Sequence, residues 1–184
     1  MKKNLLTSFT GLSLLLVICI AANGQLASTN MQPSEDIVSS GKLLANSISV
    51  DRNNVNSKVV KNFVRSFNTV SNEKWFELQD GFVALFSLDV IHYQVAYGKN
   101  GTWLYTIRTY DETKLPVDVR RLVKSTYYDY NITVIQEIER DPQTFERDSN
   151  TLTYLIHLEG KTNWITLKVC NGEMEESQKF NKSE

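Results

Sequence analysis

The strongest constraint on this chain is a succession of short runs rich in aromatic and β-branched residues, each stopped by a turn signal. The first series reads "KWFELQ", "GFVALFSL", "IHYQVAYG" and "TWLYTIRTY". Asp80-Gly81 and Gly98-Lys99-Asn100-Gly101 punctuate it with residues that tolerate positive φ. The second series reads "ITVIQEIER", "TLTYLIHLEG", "TNWITLKVC" and "EMEESQKF". Glu159-Gly160-Lys161 and Asn171-Gly172 mark its turns, and the polar "DPQTFERDSN" connects its first two runs. Both series predict antiparallel strands.

Helical periodicity precedes each series. Val55, Val59, Val60, Phe63, Val64 and Phe67 recur along one side of a predicted helix, with Lys58, Lys61, Asn62 and Arg65 on the other. In "LPVDVRRLVKSTYYDY", Pro116 suits a first helical turn and Asp118 complements the positive end of the dipole. Val119, Leu122, Val123 and Tyr127 form the apolar stripe of that second helix. The pattern predicts an α+β fold: a tandem repeat of one helix packed on a four-stranded antiparallel sheet, over 55–110 and 111–184. Ala84, Phe86, Tyr93, Val95, Trp103 and Tyr105 are expected to share the face covered by the first helix.

The N-terminus specifies a compartment. Lys2 and Lys3 precede the apolar run "LSLLLVICIAA", and the small-residue patch "AANGQ" follows it. This is the order of regions in a secretory signal peptide, with Ala22 and Gly24 at the small positions and cleavage before Gln25. The run is short for a membrane span, which needs about 20 apolar residues, so stable insertion after cleavage is not expected. Ile18 before Cys19 disfavours lipidation, because a small residue belongs there. Residues 1–24 are therefore expected to be removed, 25–54 to form a flexible polar leader, and the protein to be periplasmic or extracellular.

Export shapes the remaining expectations. Without Cys19, Cys170 is the last cysteine, so no internal disulfide is possible and the core must hold the fold. The formal net charge of −1 becomes two units more negative when Lys2 and Lys3 leave in a segment without acids. No basic stripe is present, which argues against nucleic acid as a partner. A monomer is expected.

The segment "LPVDVRRLVKSTYYDYNITVIQEIE" resembles the Leu-Pro-x-x-Val helix, tyrosine-rich turn and strand of PepSY-like domains. The stretch "KWFELQDGFVALFSLDVIHYQVAYGKNGTWLYT" is similar to the first half of the secreted PepSY-like proteins grouped with beta-lactamase inhibitor protein. The resemblance spans Val55 to Lys182. It implies tandem helix-plus-sheet repeats, an extracytoplasmic location and roles in binding or restraining other proteins, including proteases and beta-lactamases. The pattern carries no catalytic residues. The surface residues and cysteines of the beta-lactamase-inhibiting member have no match here, so the resemblance does not name a target.

Catalytic chemistry finds little support in the residues. There is no phosphate-cradling Gly-rich loop, Gly-x-Ser-x-Gly elbow or His-Glu-x-x-His motif. Neither acidic segment, "DPQTFERD" or "NGEMEES", has the ligand spacing of a calcium loop. No catalytic residue, metal ligand or cofactor is assigned. The two histidines, His92 and His157, fall on separate strands without a local ligand cluster.

Strand alternation does nominate a recognition surface. In "TNWITLKVC", Ile165, Leu167 and Val169 alternate with Trp164, Thr166, Lys168 and Cys170, and the latter set is expected to point away from the helix. An exposed Trp164 is a candidate interface anchor. The same alternation adds Lys168, Leu155, His157, His92, Gln94, Leu104 and Arg108 to that face. The resulting expectation is a non-enzymatic exported module that binds a protein or peptide, with inhibition or chaperoning of an extracytoplasmic hydrolase as its role. The alternative is a small-ligand or metal sensor in the cell envelope that uses His92 and His157.

Overall fold

A computed structural model of the protein describes residues 47–144 and 152–182. The expected signal peptide, the leader up to residue 46 and most of "DPQTFERDSN" lie outside these residues. In chain order the elements begin with strand β1 (Ile48–Val50), a 3₁₀ turn (Arg52–Asn54) and helix α1 (Ser57–Ser66). Strands β2 (Lys74–Leu78), β3 (Gly81–Leu88), β4 (Ile91–Gly98) and β5 (Trp103–Tyr110) follow. A second 3₁₀ turn (Glu112–Lys114) leads to helix α2 (Val117–Thr126). The described chain finishes with β6 (Asn131–Arg140), β7 (Leu152–Glu159), β8 (Asn163–Cys170) and β9 (Glu173–Asn181).

The strands form one nine-stranded antiparallel sheet in sequential order. This corrects the expected fold class. The fold is largely β, with two α-helices among the described residues, and it is not a tandem repeat of separate helix-on-four-strand sheets. The joint is the β5–β6 ladder, which runs from Tyr105↔Arg140 to Tyr110↔Ile135. Two separate sheets would leave unpaired N–H and C=O groups along both strands, and pairing satisfies them.

The sheet also starts earlier than the sequence pattern indicates. Ile48–Val50, assigned to the leader, pairs with β2 through Val50↔Trp75 and its neighbours. A strand of three residues is too short to display alternation. It satisfies part of the β2 edge nonetheless, and Arg52 fastens the following turn by pairing with the buried Glu73 carboxylate at 3.0 Å.

Local chemistry explains the helix and turn positions. Asn56 caps α1 by accepting from the Lys58 amide at 2.9 Å. The β4–β5 hairpin docks on this helix through Asn62 Nδ2, which donates to the Gly101 carbonyl at 2.6 Å. Gly101 has φ +92°, and a Cβ there would come within 2.8 Å of Lys58 Cβ, so glycine is required on both counts. Asn171 and Gly172, at φ 51° and 77°, make a two-residue turn between Cys170 and Glu173. Positive φ at both central residues suits a tight hairpin.

Both helices cover the same face of the sheet, over different cores. Under α1, Val59 and Phe63 join Trp75, Phe82, Ala84, Phe86, Val95 and Tyr97. Under α2, Val119 and Val123 join Ile132, Ile135, Ile156, Leu158, Ile165, Leu167 and Val169. Leu122 and Tyr127 flank the second core as the stripe predicts.

Three register shifts decide which side chains share a face. Between β4 and β5, Tyr97 pairs with Trp103 while Ala96 pairs with Tyr105, leaving Leu104 as the extra residue of a bulge. Trp103 therefore packs with the first core, and Tyr105 turns to the opposite face with Ala96, against expectation. A second shift lies between Ile132 and Val134, and a third between Thr166 and Leu167 leaves Ser177 of β9 without a partner.

Candidate protein-binding face

The face opposite the helices carries most of the residues that the sequence nominates. On β7 and β8 these are Leu155 and His157, and Trp164 and Lys168. Leu155 pairs with Lys168, His157 with Thr166, and Glu159 with Trp164. His92 and Gln94 occupy the same face on β4. The middle of this face is already buried: Val83, Leu85, Gln94, Ala96, Ile107 and Ile138 are each at most 7% exposed. Gln94, between Leu85 and Ile107 on the neighbouring strands, is therefore not a surface group. The exposed part of the face lies toward β8 and β9.

Trp164 is 40% exposed there. It pairs across the ladder with Phe180, itself 54% exposed. Lys182 places its Nζ 4.7 Å from the centroid of the indole ring and donates to Glu159 Oε1 at 2.7 Å. Lys168 forms an exposed ion pair with Glu175 at 2.9 Å. An aromatic pair thus stands among compensated charges at an accessible end of the sheet.

Phe180, Glu159 and Lys182 are absent from the sequence-based selection. Phe180 sits in a polar strand, and the Ser177 bulge breaks the alternation that would have assigned its face. An isolated aromatic in "EMEESQKF" is the one signal that could have found it.

Arg108 lies on the other face, contrary to expectation, because the Leu104 bulge reverses the order of sides along β5. It pairs with Tyr93, and its guanidinium stands 6.0 Å from that ring. Nη1 donates to Glu137 Oε1 at 2.8 Å and Nη2 to Glu139 Oε2 at 2.7 Å. The Tyr110 hydroxyl donates to Glu137 Oε2 at 2.5 Å. Burial, followed by the Glu137 carboxylate, pushes the Tyr110 hydroxyl far above the ordinary tyrosine range. Arg108 and its partners form a polar strip between the two apolar cores. Leu104 belongs to neither cluster of nominated residues, since it occupies the bulge.

The histidines are not brought together. His92 on β4 and His157 on β7 are three strand positions apart, which corresponds to about 14 Å at ordinary strand spacing. Zinc–nitrogen bonds are about 2 Å, so the two rings cannot share an ion in this fold. His92 Nδ1 lies 2.8 Å from Ser87 Oγ, and His157 Nδ1 lies 3.1 Å from Thr166 Oγ1. Burial lowers the pKa of His157. Among the described residues no group of three or more His, Cys, Asp or Glu side chains could hold a metal ion. Cys170 is partly buried and its thiol donates to the Leu152 carbonyl at 3.4 Å. No helix among the described residues is long and apolar enough to cross a membrane.

A single antiparallel sheet carrying two helices on one face has counterparts among solved structures. A BLIP-like protein from Bacteroides fragilis NCTC 9343 matches with a TM-score of 0.53 and 14% identity, over 68% of this chain and 85% of that one. A DUF2874 family protein from Bacteroides ovatus ATCC 8483 matches with a TM-score of 0.53 and 14% identity, over 68% of this chain and 86% of the other. A protein provisionally described as periplasmic, from Bacteroides eggerthii DSM 20697, gives 0.52 and 11% over 69% and 88%. At these identities the shared property is the fold, which is BLIP-like. No protein-family model and no curated protein matches the sequence.

Proposed function

We propose that this chain is a non-enzymatic, exported protein-binding module whose partner docks on the exposed end of the open sheet face, over β7, β8 and β9. The observation that carries the reading is the exposed, in-register pair Trp164 and Phe180. Large aromatics that retain this much exposure on a sheet are characteristic anchors of protein interfaces. His157 is the diagonal neighbour of Trp164, and Leu155 and Lys168 follow further along the same face, whereas His92 and Gln94 belong to the buried centre and its margin. The BLIP-like fold, the neighbour described as periplasmic and the signal-peptide pattern favour an exported protein as partner. Inhibition or chaperoning of an extracytoplasmic hydrolase is the role most consistent with that setting, and the PepSY-like resemblance belongs to the same proposal.

The test uses the tagged chain from Gln25 onward, expressed in its own host and cross-linked mildly before purification. One stoichiometric exported protein is expected, and Trp164→Ala is expected to reduce its recovery by about tenfold or more, the effect of losing an anchor of about 1.4 kcal/mol or more. Equal recovery by a folded Trp164→Ala protein, or no partner at all, would overturn the proposal.

A further inference from the structure

The arrangement around Trp164 is more specific than an exposed aromatic. An ammonium group already sits on it: Lys182 Nζ is 4.7 Å from the ring centroid and 2.7 Å from Glu159 Oε1. A cation over an indole face with a carboxylate at hydrogen-bond distance combines the two interactions that recognise a primary ammonium. Phe180 adds an apolar wall suited to the aliphatic stem of a lysine side chain, and it remains 54% exposed with Lys182 in place.

Lys182 is held in two separable ways. Its backbone amide donates to the Thr162 carbonyl at 2.8 Å, which fixes the main chain beside β8. Its side chain is held by Trp164 and Glu159, and rotation about the side-chain bonds can withdraw the ammonium while the backbone stays paired. The intramolecular contact is weak enough to be displaced, because the ion pair and the cation–π contact are both partly open to water, and such contacts each contribute modestly. It is also strong enough to exclude weak competitors, since the tethered ammonium is always nearby.

We infer that Trp164, Phe180 and Glu159 form a receptor for a lysine side chain presented by the partner protein, and that Lys182 occupies this receptor in the free chain. The inference rests on the proposed docking face and names the chemistry the partner must offer there. The partner's lysine replaces Lys182, and Lys182 moves into solvent. The charge count of the site is unchanged by the exchange, so recognition depends on the better-placed of two ammonium groups.

The test is an NMR titration of the Trp164 indole N–H with N-acetyl-lysine amide, in the full chain from Gln25 onward. Lys182→Ala should bind the probe at least about fivefold more tightly than the unsubstituted protein, because the internal competitor is gone. Lys182→Met keeps the aliphatic stem and should behave alike if alanine disturbs the end of β9. Adding Glu159→Gln to either variant should abolish saturable binding. Unchanged affinity on removing Lys182, or undiminished binding without the Glu159 charge, would overturn the inference. Partner capture that depends on Trp164 without any probe binding would also overturn it while sparing the docking face. Probe binding without partner capture would uphold the receptor and overturn the docking proposal.

Discussion

The two ends of the sheet solve the same packing problem with different side chains. Under α1 the core is aromatic: Phe63 touches Phe67, Trp75 and Phe86, with ring centroids 5.2–5.4 Å apart. Under α2 it is aliphatic, built from Val119, Val123, Ile135, Ile156, Leu158, Ile165 and Leu167. The opposite faces differ as well. Behind the aromatic core, Val83, Leu85 and Ala96 are buried, whereas the other end leaves Trp164 and Phe180 in water. A region closed on both faces serves stability, and a region closed on one face is available for recognition.

The largest expected effect tests the core contrast. Phe63→Ala removes a fully buried ring that meets three others, and should cost about 3–5 kcal/mol. Val123→Ala, at an equally buried position on α2, should cost roughly 2–3 kcal/mol, because fewer atoms are removed. Urea denaturation would give both values. A single transition is expected in each case, since the β5–β6 ladder makes one sheet of the two ends. Two transitions, or equal losses, would break the comparison.

At the aromatic end, alkaline titration probes Tyr97. Burial raises the Tyr97 pKa from its ordinary 10 to about 12. The folded state keeps this proton more tightly than the unfolded state. Its stabilising effect is complete below pH 10 and is lost as the pH rises toward 12, amounting to about 2–3 kcal/mol. Tyr97→Phe should flatten the fall in stability across that window, measured as urea midpoints at successive pH values. An unchanged slope would place the alkaline sensitivity elsewhere.

How far these features could be read in the sequence depends on whether they are local. Alternation and turn chemistry show most of the strands, because Asn171-Gly172 or "GFVALFSL" carries its own instruction. Trp164 can be assigned to the open face for the same reason, since the residues from Trp164 to Cys170 alternate without interruption in orientation. Pairing partners are a different matter. Nothing in the composition of β5 or β6 states that they join, so two sheets are expected where one forms. The bulges are equally silent: one unpaired residue, Leu104 or Ser177, reverses every side chain beyond it. That reversal accounts for the misplaced Tyr105 and Arg108 and for the overlooked Phe180.

Arg108 supplies the smallest predicted effect on stability and the sharpest discrimination between the faces. Its guanidinium bridges Glu137 and Glu139 between the two cores, with side-chain exposures of 26%, 18% and 41%. Arg108→Ala would leave the largely buried Glu137 carboxylate with the Tyr110 hydroxyl as its one side-chain donor among the described residues. Partial solvent access moderates the penalty to about 1–2 kcal/mol. Arg108→Lys should recover little, because one ammonium cannot reproduce the fork that reaches two carboxylates. Partner recovery should be unchanged in both variants, the reverse of Trp164→Ala, which removes the proposed anchor from an exposed position. Weakened partner binding by an Arg108→Ala protein of normal stability would show that the polar strip on the helix side takes part in recognition. Loss of stability with unaltered binding would assign recognition to the open face and leave Arg108 to join the aromatic and aliphatic cores.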